Sequence, residues 1–517
     1  MIGRILVAGD WRNLARLSTR VCVVGSGPAG AVVAACLAQQ GIETLVLEAG
    51  RDAAGPGPDR LVDTIDSDGD ADLRQGGAIQ LGGASNLWAG RLAALEAIDF
   101  EERPWVPHSG WPLARTDLDS WLHQARAMLG VISLPENGTL PDRFEGLGEG
   151  VEVKTFCWAA SPFNAGRHLK EAARTSPSLT VLLEAQTTAL LESADGSRLT
   201  GVRARGPGNA MLDVEAEVVI LAAGGLGVPR LLLAPTAARP AGIGNEHDLV
   251  GRYLSTHPKA DMAALLLNRS VPTRHPLFAD RPAGEGRTRL GLGFDAATQR
   301  CHGLLNHYVQ LSPLAEYRAS RLFEATRHTR ALQAPMIDRS AIATGSLRAL
   351  GLMAFAAVGR MGGLQRRART FVLRAFLDQF PDADNRVRLA RDQDSNGQHK
   401  LDLFWRYSTD DRESVLRFLG LLDKRLREAR LGRIAFEPAR DTGSWQFTGI
   451  HSHHMGTARM AASPHQGVTD KNGRVFSCTN LFIAGPPLFP TYGYANPVLT
   501  TTALSLRLAQ HLKNRLR

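Results

Sequence analysis

The sequence predicts an α/β protein in which a parallel-sheet domain is interleaved with a second, α+β domain built on an antiparallel sheet. A strand, a glycine-rich turn and a helix follow one another in residues 21–50, and another strand enters a glycine turn in residues 217–233. Short strand-like runs at 263–270, 386–392 and 399–405 support the antiparallel sheet. The 517 residues exceed what one ordinary domain needs.

The turn near the N-terminus is built to bind a dinucleotide. Gly25, Gly27 and Gly30 follow a buried strand in G-x-G-x-x-G spacing, and the next strand ends in Glu48. Gly25 permits the sharp turn, Gly27 lets the backbone approach a pyrophosphate, and Gly30 lets helix and strand pack closely. The helix N-terminus offers free N–H groups to the phosphates, and Glu48 can accept hydrogen bonds from the ribose hydroxyls. We therefore predict a Rossmann-like domain with these four residues at the nucleotide.

Two further segments favour FAD over NAD as the dinucleotide. The loop at 76–90, "GGAIQLGGASNLWAG", is a second glycine-rich stretch, suited to backbone contact with a large, extended cofactor. The strand at 217–233 enters an Ala-Ala-Gly-Gly turn that can return to the nucleotide. The candidate contacts in these segments are Gly82, Gly83, Ser85, Asn86 and Ala223.

Cysteine usage and hydropathy bear on location. The five cysteines are scattered and no CxxC pair is present, so neither a disulfide framework nor a zinc knuckle is indicated. Such usage suits a reducing cytoplasm. No stretch approaches the roughly 18 uncharged apolar residues of a membrane span, and the first twenty residues lack a secretory signal. We therefore expect a cytoplasmic protein without a transmembrane segment.

The positive charge is concentrated in one region. Residues 318–374 hold eleven arginines against Glu324 and Asp338, a surplus equal to the net charge of +9 of the whole chain. We expect residues 318–376 to form mostly helices of the second domain beside the active-site entrance; peripheral contact with a membrane surface is the alternative. Nucleic acid is not expected as a partner, because no aromatic-interleaved basic motif accompanies the arginines.

The C-terminal region contains the most specific motif. Residues 451–460 read "HSHHMGTARM", and H-x-x-G-T at 453–457 is followed by "GVTD", "LFPT" and "NP" before a final helix. Together with "VCVVGSGPAGAVVAACLA", "GGASNLWAG", "VILAAGG" and "DLVGRYLSTHP", this block resembles the glucose–methanol–choline (GMC) family of FAD-dependent oxidoreductases. The resembling pieces span nearly the whole chain.

The resemblance implies an active-site pair at the flavin, which falls here on His453 and Asn496. His454 would face the opposite way if the motif were a strand, and His451 precedes the motif, so a structural role is expected for both. A metal site is not expected, because no further Cys, His or Asp with ligand spacing accompanies these histidines.

The sequence departs from the family pattern at three positions. Gly485 replaces an aspartate that would contact the flavin side chain, so its own contact would come through backbone N–H groups. Leu87 stands where some members carry a histidine bonded to the flavin, which predicts non-covalent FAD. Thr187 replaces a common valine whose cofactor contact is through the backbone. Asn496 and the adjacent Pro497 complete the predicted cofactor contacts.

The family pattern also implies the domain plan. The FAD-binding domain is expected to comprise 1–258 and 451–517, with part of 91–175 as connecting or lid segments. The substrate-binding domain is expected at 259–450.

The implied reaction is oxidation of an alcohol CH–OH group by hydride transfer to flavin N5, with His453 as base and Asn496 as hydrogen-bond donor. The expected substrate is a sugar, glycoside or related polyol, because "LLNHYVQ" (304–310), Gln379, Asn385 and Trp405 mix aromatic and amide groups. A non-sugar alcohol is the alternative; a flavin-containing lyase or a non-catalytic FAD-binding protein is a more distant one. The sequence leaves oxygen, a quinone and a protein carrier open as electron acceptor.

Overall fold

A computed structural model describes most of the chain and defines two large sheets and one small sheet. The described residues are 4–7, 16–52, 66–69, 78–131, 144–148, 150–284, 286–315, 366–394, 396–435, 445, 447 and 452–517. The helices are α1 (Pro28–Gln39), α2 (Ala97–Phe100), α3 (Asp119–Met128), α4 (Ala165–Thr175), α5 (Gly224–Leu233), α6 (Ala296–His302), α7 (Thr409–Glu428) and α8 (Val498–Leu516).

The strands are numbered in chain order. They are β1 (Arg4–Leu6), β2 (Arg16–Val24), β3 (Thr44–Leu47), β4 (Asp66–Gly69), β5 (Arg91–Leu92), β6 (Val151–Trp158), β7 (Leu179–Leu182), β8 (Gln186–Glu192), β9 (Leu199–Arg205), β10 (Met211–Leu221), β11 (Lys259–Pro272), β12 (Arg281–Ala283), β13 (Gly286–Phe294), β14 (Tyr308–Pro313), β15 (Arg367–Phe376), β16 (Arg386–Gln393), β17 (His399–Trp405), β18 (Gly432–Ala435) and β19 (Leu481–Ile483).

The first sheet is the predicted nucleotide-binding sheet. Its strand order is β1-β7-β3-β2-β10-β9-β8, parallel from β1 to β10 and antiparallel beyond, and β19 adds a parallel strand along the end of β10. The strands β2 and β3 contain buried apolar runs because helices α1, α4 and α8 cover one face of the sheet and a second apolar cluster packs on the other face. This order puts the carboxyl ends of β2 and β3 at the edge where α1 begins, which is where a dinucleotide binds.

The second sheet is antiparallel, with strand order β18-β11-β15-β14-β13-β6-β5 and β12 paired to β13. One face packs its apolar side chains against helix α7 through contacts that include Phe294 with Phe418. Helix α7 begins at a capping box in which Ser408 and Asp411 satisfy each other's backbone N–H groups. The opposite face of the sheet carries aromatic and charged side chains and faces the candidate active site.

The arginine-rich segment differs from the prediction where it is described. Residues 367–376, expected to be helical, form strand β15, paired on both sides with β11 and β14. Every second residue of this strand is buried, namely Phe371, Leu373 and Ala375. This period of two favours a strand in spite of the arginines in the segment. Residues 316–365 lie outside the described residues.

The sequence predicts that the strand-like runs at 386–392 and 399–405 belong to the same sheet as 263–270. This prediction is wrong. The two runs form the antiparallel pair β16–β17 of a separate small sheet, with β4 parallel to β17. The physical reason is their anchoring to the nucleotide-binding side: Arg230 on α5 donates to the carbonyl of His399 (2.8 Å) and pairs with Asp394 (2.7 Å). The hairpin is thereby held beside the first sheet.

Residues 91–175, which follow the glycine-rich loop at 76–90, pack with both large sheets. Strands β5 and β6 form the end of the antiparallel sheet, while α3 packs on α8 and α4 packs on α1. The domain boundaries at 1–258, 259–450 and 451–517 stay a prediction. Across the described part of the chain, none of the helices has the length and apolar character needed to cross a bilayer.

Candidate active site

The first glycine turn forms an open cradle at the start of α1. Gly25 has φ +102°, and a Cβ there would lie 2.7 Å from the carbonyl oxygen of Ala222. A Cβ on Gly30 would collide with the carbonyl oxygen of Gly25, whereas a Cβ on Gly27 would meet nothing within 4 Å. No side chain caps α1, so the N–H groups of its first turn remain available to a ligand.

Glu48 lies buried beside this cradle. Its carboxylate accepts hydrogen bonds from the backbone N–H groups of Ser26 (3.0 Å) and Gly50 (2.8 Å) and from the Ser26 hydroxyl. Burial raises the pKa of Glu48 above its usual range, against the opposing effect of these hydrogen bonds. Sequence reasoning placed Glu48 correctly at the end of β3 but did not identify Ser26, which ties it to the turn.

The second glycine loop folds against the first. The N–H of Gly82 donates to the Ser26 hydroxyl (2.9 Å), and a Cβ on Gly83 would lie 3.1 Å from the Cα of Gly27. The Ser85 hydroxyl donates to the Gly82 carbonyl (2.6 Å), and the Asn86 amide donates to the carbonyls of Leu81 and Gly83. The side chains of Ser85 and Asn86 therefore hold the loop, and we infer that their cofactor contacts are made by the backbone.

The other predicted cofactor residues lie in three places. Gly485 has φ +120°, and a Cβ there would lie 3.6 Å from that of Ala29, so Gly485 borders the cradle. Ala223 lies directly before α5 and beside Gly25. Thr187 is on β8, where its buried hydroxyl has no hydrogen-bond partner among the residues that the structure describes. Pro497 precedes the first turn of α8.

Two sequence motifs meet at the centre of the site. Ser255 of "YLSTHP" and Met455 of "HHMGT" form an isolated antiparallel bridge, with N–H to carbonyl distances of 3.1 and 2.9 Å. Because the two segments run in opposite directions, the residue two after Ser255 lies opposite the residue two before Met455. Those residues are His257 and His453, and their Nδ1 atoms are 3.3 Å apart.

The hydrogen bonds around His257 assign the tautomers of both histidines. The Nε2 of His257 is 3.2 Å from the carbonyl oxygen of Gly493, which can only accept, so Nε2 carries the proton. The Nδ1 of neutral His257 is then an acceptor, and His453 must donate its Nδ1–H. The Nε2 of His453 is left unprotonated, with a free lone pair.

Both histidines are held neutral by their surroundings. Burial, with a contribution from the positive charge of Lys259, lowers the pKa of His257 to about 3. Burial lowers the pKa of His453 well below its usual value, and His257, Lys259, His454 and Arg91 lower it further. The neutral form of His453, which a base needs, therefore predominates at neutral pH.

The backbone of His453 corrects the predicted strand geometry. His453 has φ +64°, in the left-handed region, and neither His453 nor His454 belongs to a strand, so the alternation of side chains in a strand does not apply to them. Such a conformation costs a non-glycine residue on the order of 1–3 kcal/mol. It is maintained by the bridge at Met455 and by Thr457, whose hydroxyl donates to the carbonyl of Gly225 (2.8 Å).

Asn496 borders the same site from another direction. Its amide donates one hydrogen bond to the backbone carbonyl of Arg91 (3.2 Å), which leaves its second N–H free for a ligand. The preceding Gly493 accepts from His257 through its carbonyl and donates its N–H to the carboxylate of buried Asp378. The chain segment that ends in Asn496 is thus fixed to the histidine pair.

Sequence reasoning missed His257 although "STHP" had been noted as part of the family resemblance. The one signal for His257 was its place in this family-like motif, because nothing in the sequence shows that Ser255 pairs with Met455. The interpretation of Gln379, Asn385 and Trp405 as substrate-lining groups is wrong: Trp405 donates to Gln379, and both amides donate to the carbonyl of Arg406. These buried polar groups satisfy one another.

The comparisons with known proteins identify the family. Residues 381–505 match the family model described as GMC oxidoreductase, and residues 20–361 match the model described as FAD dependent oxidoreductase. The chain belongs to the GMC family of FAD-dependent oxidoreductases. This GMC oxidoreductase uses FAD as its cofactor and acts as an alcohol oxidase or dehydrogenase.

Relatives of this GMC oxidoreductase oxidise different substrates. It is 24% identical to 6'''-hydroxyparomomycin C oxidase of Streptomyces lividus, over 96% of this chain and 91% of that protein. It is 26% identical to the fructose dehydrogenase large subunit of Gluconobacter japonicus, over 63% of this chain and 53% of that protein. The solved structure of pyridoxine 4-oxidase from Mesorbium loti has a TM-score of 0.57 at 17% identity, covering 96% of this chain and 99% of that one, which shows a shared fold.

The cradle fits FAD. Substitutions of Gly27 and Gly30, two of its glycines, should have opposite consequences. Gly27→Ala adds a methyl into space that is empty of protein atoms, so the variant should fold like the wild type but bind FAD more weakly. Gly30→Ala should lower the melting temperature of the apoprotein, because its methyl collides with Gly25. Thermal unfolding of the apoproteins and FAD titration measure both; equal unfolding temperatures for the two variants would contradict this assignment.

FAD should be released by denaturation. Leu87, which stands where a linking side chain would lie, is an aliphatic residue with 64% of its surface exposed and offers no nucleophile. After acid precipitation the yellow colour is expected in the supernatant. Flavin that stayed with the pelleted protein would show a covalent bond elsewhere.

Proposed function

We propose that this enzyme oxidises a CH–OH group of a sugar, glycoside or related polyol, with His453 as the base. The observation that supports this best is the hydrogen-bond chain from Gly493 through His257 to His453, which leaves the Nε2 of His453 free to accept a proton. A free imidazole lone pair in a buried site is suited to general-base catalysis.

The proposed division of labour follows from the side chains. The Nε2 of His453 takes the hydroxyl proton of the substrate, and the free N–H of Asn496 donates a hydrogen bond to the oxygen as negative charge develops. FAD, when bound, supplies the oxidising power by accepting the hydride from the same carbon. The substrate thereby loses one proton and one hydride and becomes a carbonyl compound.

The substrate class rests on the relatives. The names of the Streptomyces lividus and Gluconobacter japonicus relatives refer to oxidation of an aminoglycoside and of fructose. Both substrates are polyhydroxylated. The electron acceptor is not specified by the residues described. Bleaching of the flavin absorbance by an alcohol without oxygen would distinguish an oxidoreductase from a flavin-containing lyase and from a non-catalytic FAD-binding protein.

Replacement of His453 should slow chemistry without loss of the cofactor. His453→Ala is expected to retain FAD but to reduce the rate of anaerobic flavin reduction by about 10² to 10⁴-fold, the usual contribution of a general base. Asn496→Ala is expected to lose about 10² to 10³-fold, as for one oxyanion donor. His454→Ala is the control, and a greater loss in this control than in His453→Ala would refute the assignment. Stopped-flow absorbance measures all three.

The rate should stay constant well into the acidic range. Because the pKa of His453 is lowered, its neutral form persists below pH 6.5, and the acidic limb of kcat/KM should lie below that value. His257→Ala should shift this limb and lower the rate, because the tautomer of His453 is no longer fixed. His257→Gln can donate and accept like the imidazole, so it should recover part of the rate; a pH profile unchanged by both substitutions would contradict a positioning role for His257.

A further inference from the structure

The face of the antiparallel sheet that borders the histidine pair carries clustered cations on an aromatic surface. The guanidinium of Arg91 lies 3.8 Å from the ring centre of Phe156 and 4.1 Å from that of Phe376. The ammonium of Lys259 lies 5.4 Å from the ring centre of the same Phe376. Both cations contact this ring, and the charge of Arg91 adds to burial in lowering the pKa of Lys259, so the two lie within electrostatic range of each other. Both residues have intermediate solvent exposure.

This pair of cations is part of the active site. Lys259 follows His257 by two residues and begins strand β11, and Asn496 donates its hydrogen bond to the backbone of Arg91. The histidine pair, the amide and the two cations are therefore fixed to one another by backbone connections. The positive charges also help to lower the pKa of His453.

The carboxylates of the same face are bound to other arginines. Asp261 forms a two-pronged ion pair with Arg374 (2.8 and 3.1 Å), and Asp280 contacts Arg287 (2.9 Å) and Arg289 (3.6 Å). Arg91 donates to the amide oxygen of Gln310 at 3.3 Å, interacts with the hydroxyl of Tyr308 and lies within electrostatic range of Asp280, while its buried Nε has no hydrogen-bond partner in the described part of the chain. A guanidinium so placed is suited to an anionic ligand, whose oxygens can accept its remaining N–H groups.

We propose that the alcohol oxidised by this enzyme carries an anionic substituent, a carboxylate or a phosphate ester, which binds between Arg91 and Lys259. The proposal rests on the alcohol oxidation proposed above and specifies its substrate class. The ring C–H groups of a sugar acid would lie on the aromatic surface, while its acidic group contacts the two cations. A polycationic aminoglycoside would be repelled from the same surface, which separates this enzyme from its aminoglycoside-oxidising relative.

An anion at this position would also assist the reaction. Arg91 and Lys259 lower the pKa of His453, and a bound negative charge beside them would offset that effect. His453 would then be a stronger base in the substrate complex than in the free enzyme. The enzyme would thus be activated by the group that it recognises.

Three matched alcohols and one inert ligand test the proposal on the FAD-loaded enzyme. Methyl glucoside, methyl glucuronide and methyl glucoside 6-phosphate differ chiefly in the group at C6, and anaerobic flavin reduction gives kcat/KM for each. Tetrahydropyran-2-carboxylate has no hydroxyl group to oxidise, so its effect on the flavin absorbance reports binding alone. Each is measured for the wild type, for Lys259→Gln, for Lys259→Glu and for the control Lys424→Gln, an exposed cation on α7.

We expect the wild type to prefer one of the two anionic sugars over methyl glucoside by at least about tenfold. The anionic sugar with the higher kcat/KM shows whether the site prefers a carboxylate or a phosphate ester. Lys259→Gln should reduce kcat/KM for that sugar by about 10- to 100-fold more than for methyl glucoside, the scale of a lost charge-assisted hydrogen bond; any change in the basicity of His453 affects both sugars and cancels in this ratio. Lys259→Glu should bind tetrahydropyran-2-carboxylate still more weakly, and Lys424→Gln should match the wild type.

Two results with reactive alcohols would overturn the proposal, and a third case is decided by the inert ligand. If neutral sugars reduce the flavin while both anionic sugars are inert, the substrate class is wrong but the alcohol oxidation stands. If Lys259→Gln slows neutral and anionic alcohols equally, Lys259 serves the cofactor or the fold instead. If no alcohol reduces the flavin, the proposed oxidation fails, and the anion site is then judged by whether tetrahydropyran-2-carboxylate binds the wild type and is lost in Lys259→Glu.

Discussion

The geometry of the active site depends on the short antiparallel contact between residues 253–257 and 453–457. This bridge between Ser255 and Met455 places His257 against His453, although the two histidines are 196 residues apart in the chain. A histidine alone could present either ring nitrogen to a substrate. The carbonyl of Gly493 removes that choice, because it accepts a hydrogen bond from the Nε2–H of His257 and so requires His453 to donate from Nδ1.

Several unfavourable local features are retained to maintain this contact. His453 has a left-handed backbone, Gly493 is so close to Asp99 that a Cβ would lie 2.5 Å from its carboxylate, and Asp378 is fully buried. Burial raises the pKa of Asp378, which the N–H of Gly493 and the guanidinium of Arg103 counteract. Such costs are tolerated where a rigid arrangement of polar groups serves chemistry.

The site combines groups from both large sheets. The glycine cradle and the histidine motif belong to the nucleotide-binding side, whereas Arg91 begins the edge strand β5 and Lys259 begins β11 of the antiparallel sheet. The first set is built of backbone atoms and neutral rings, which suits the cofactor and the proposed proton transfer. The second set consists of charged side chains on strands, where a substitution changes the charge at the site without altering the fold.

The sequence determined the first glycine turn because it depends on local spacing: three glycines, a buried strand and a terminal acid act within thirty residues. It determined the fold class, the family and the cofactor through short motifs spread over nearly the whole chain. It also indicated His453 and Asn496 by family resemblance. It failed for β15, where arginines concealed the two-residue period, and for the buried amides of Gln379 and Asn385. Only the tertiary structure placed His257 beside His453 and Lys259 beside Arg91, because those contacts join segments separated by more than 150 residues, and strand pairing across such a distance leaves no periodic signal in the chain.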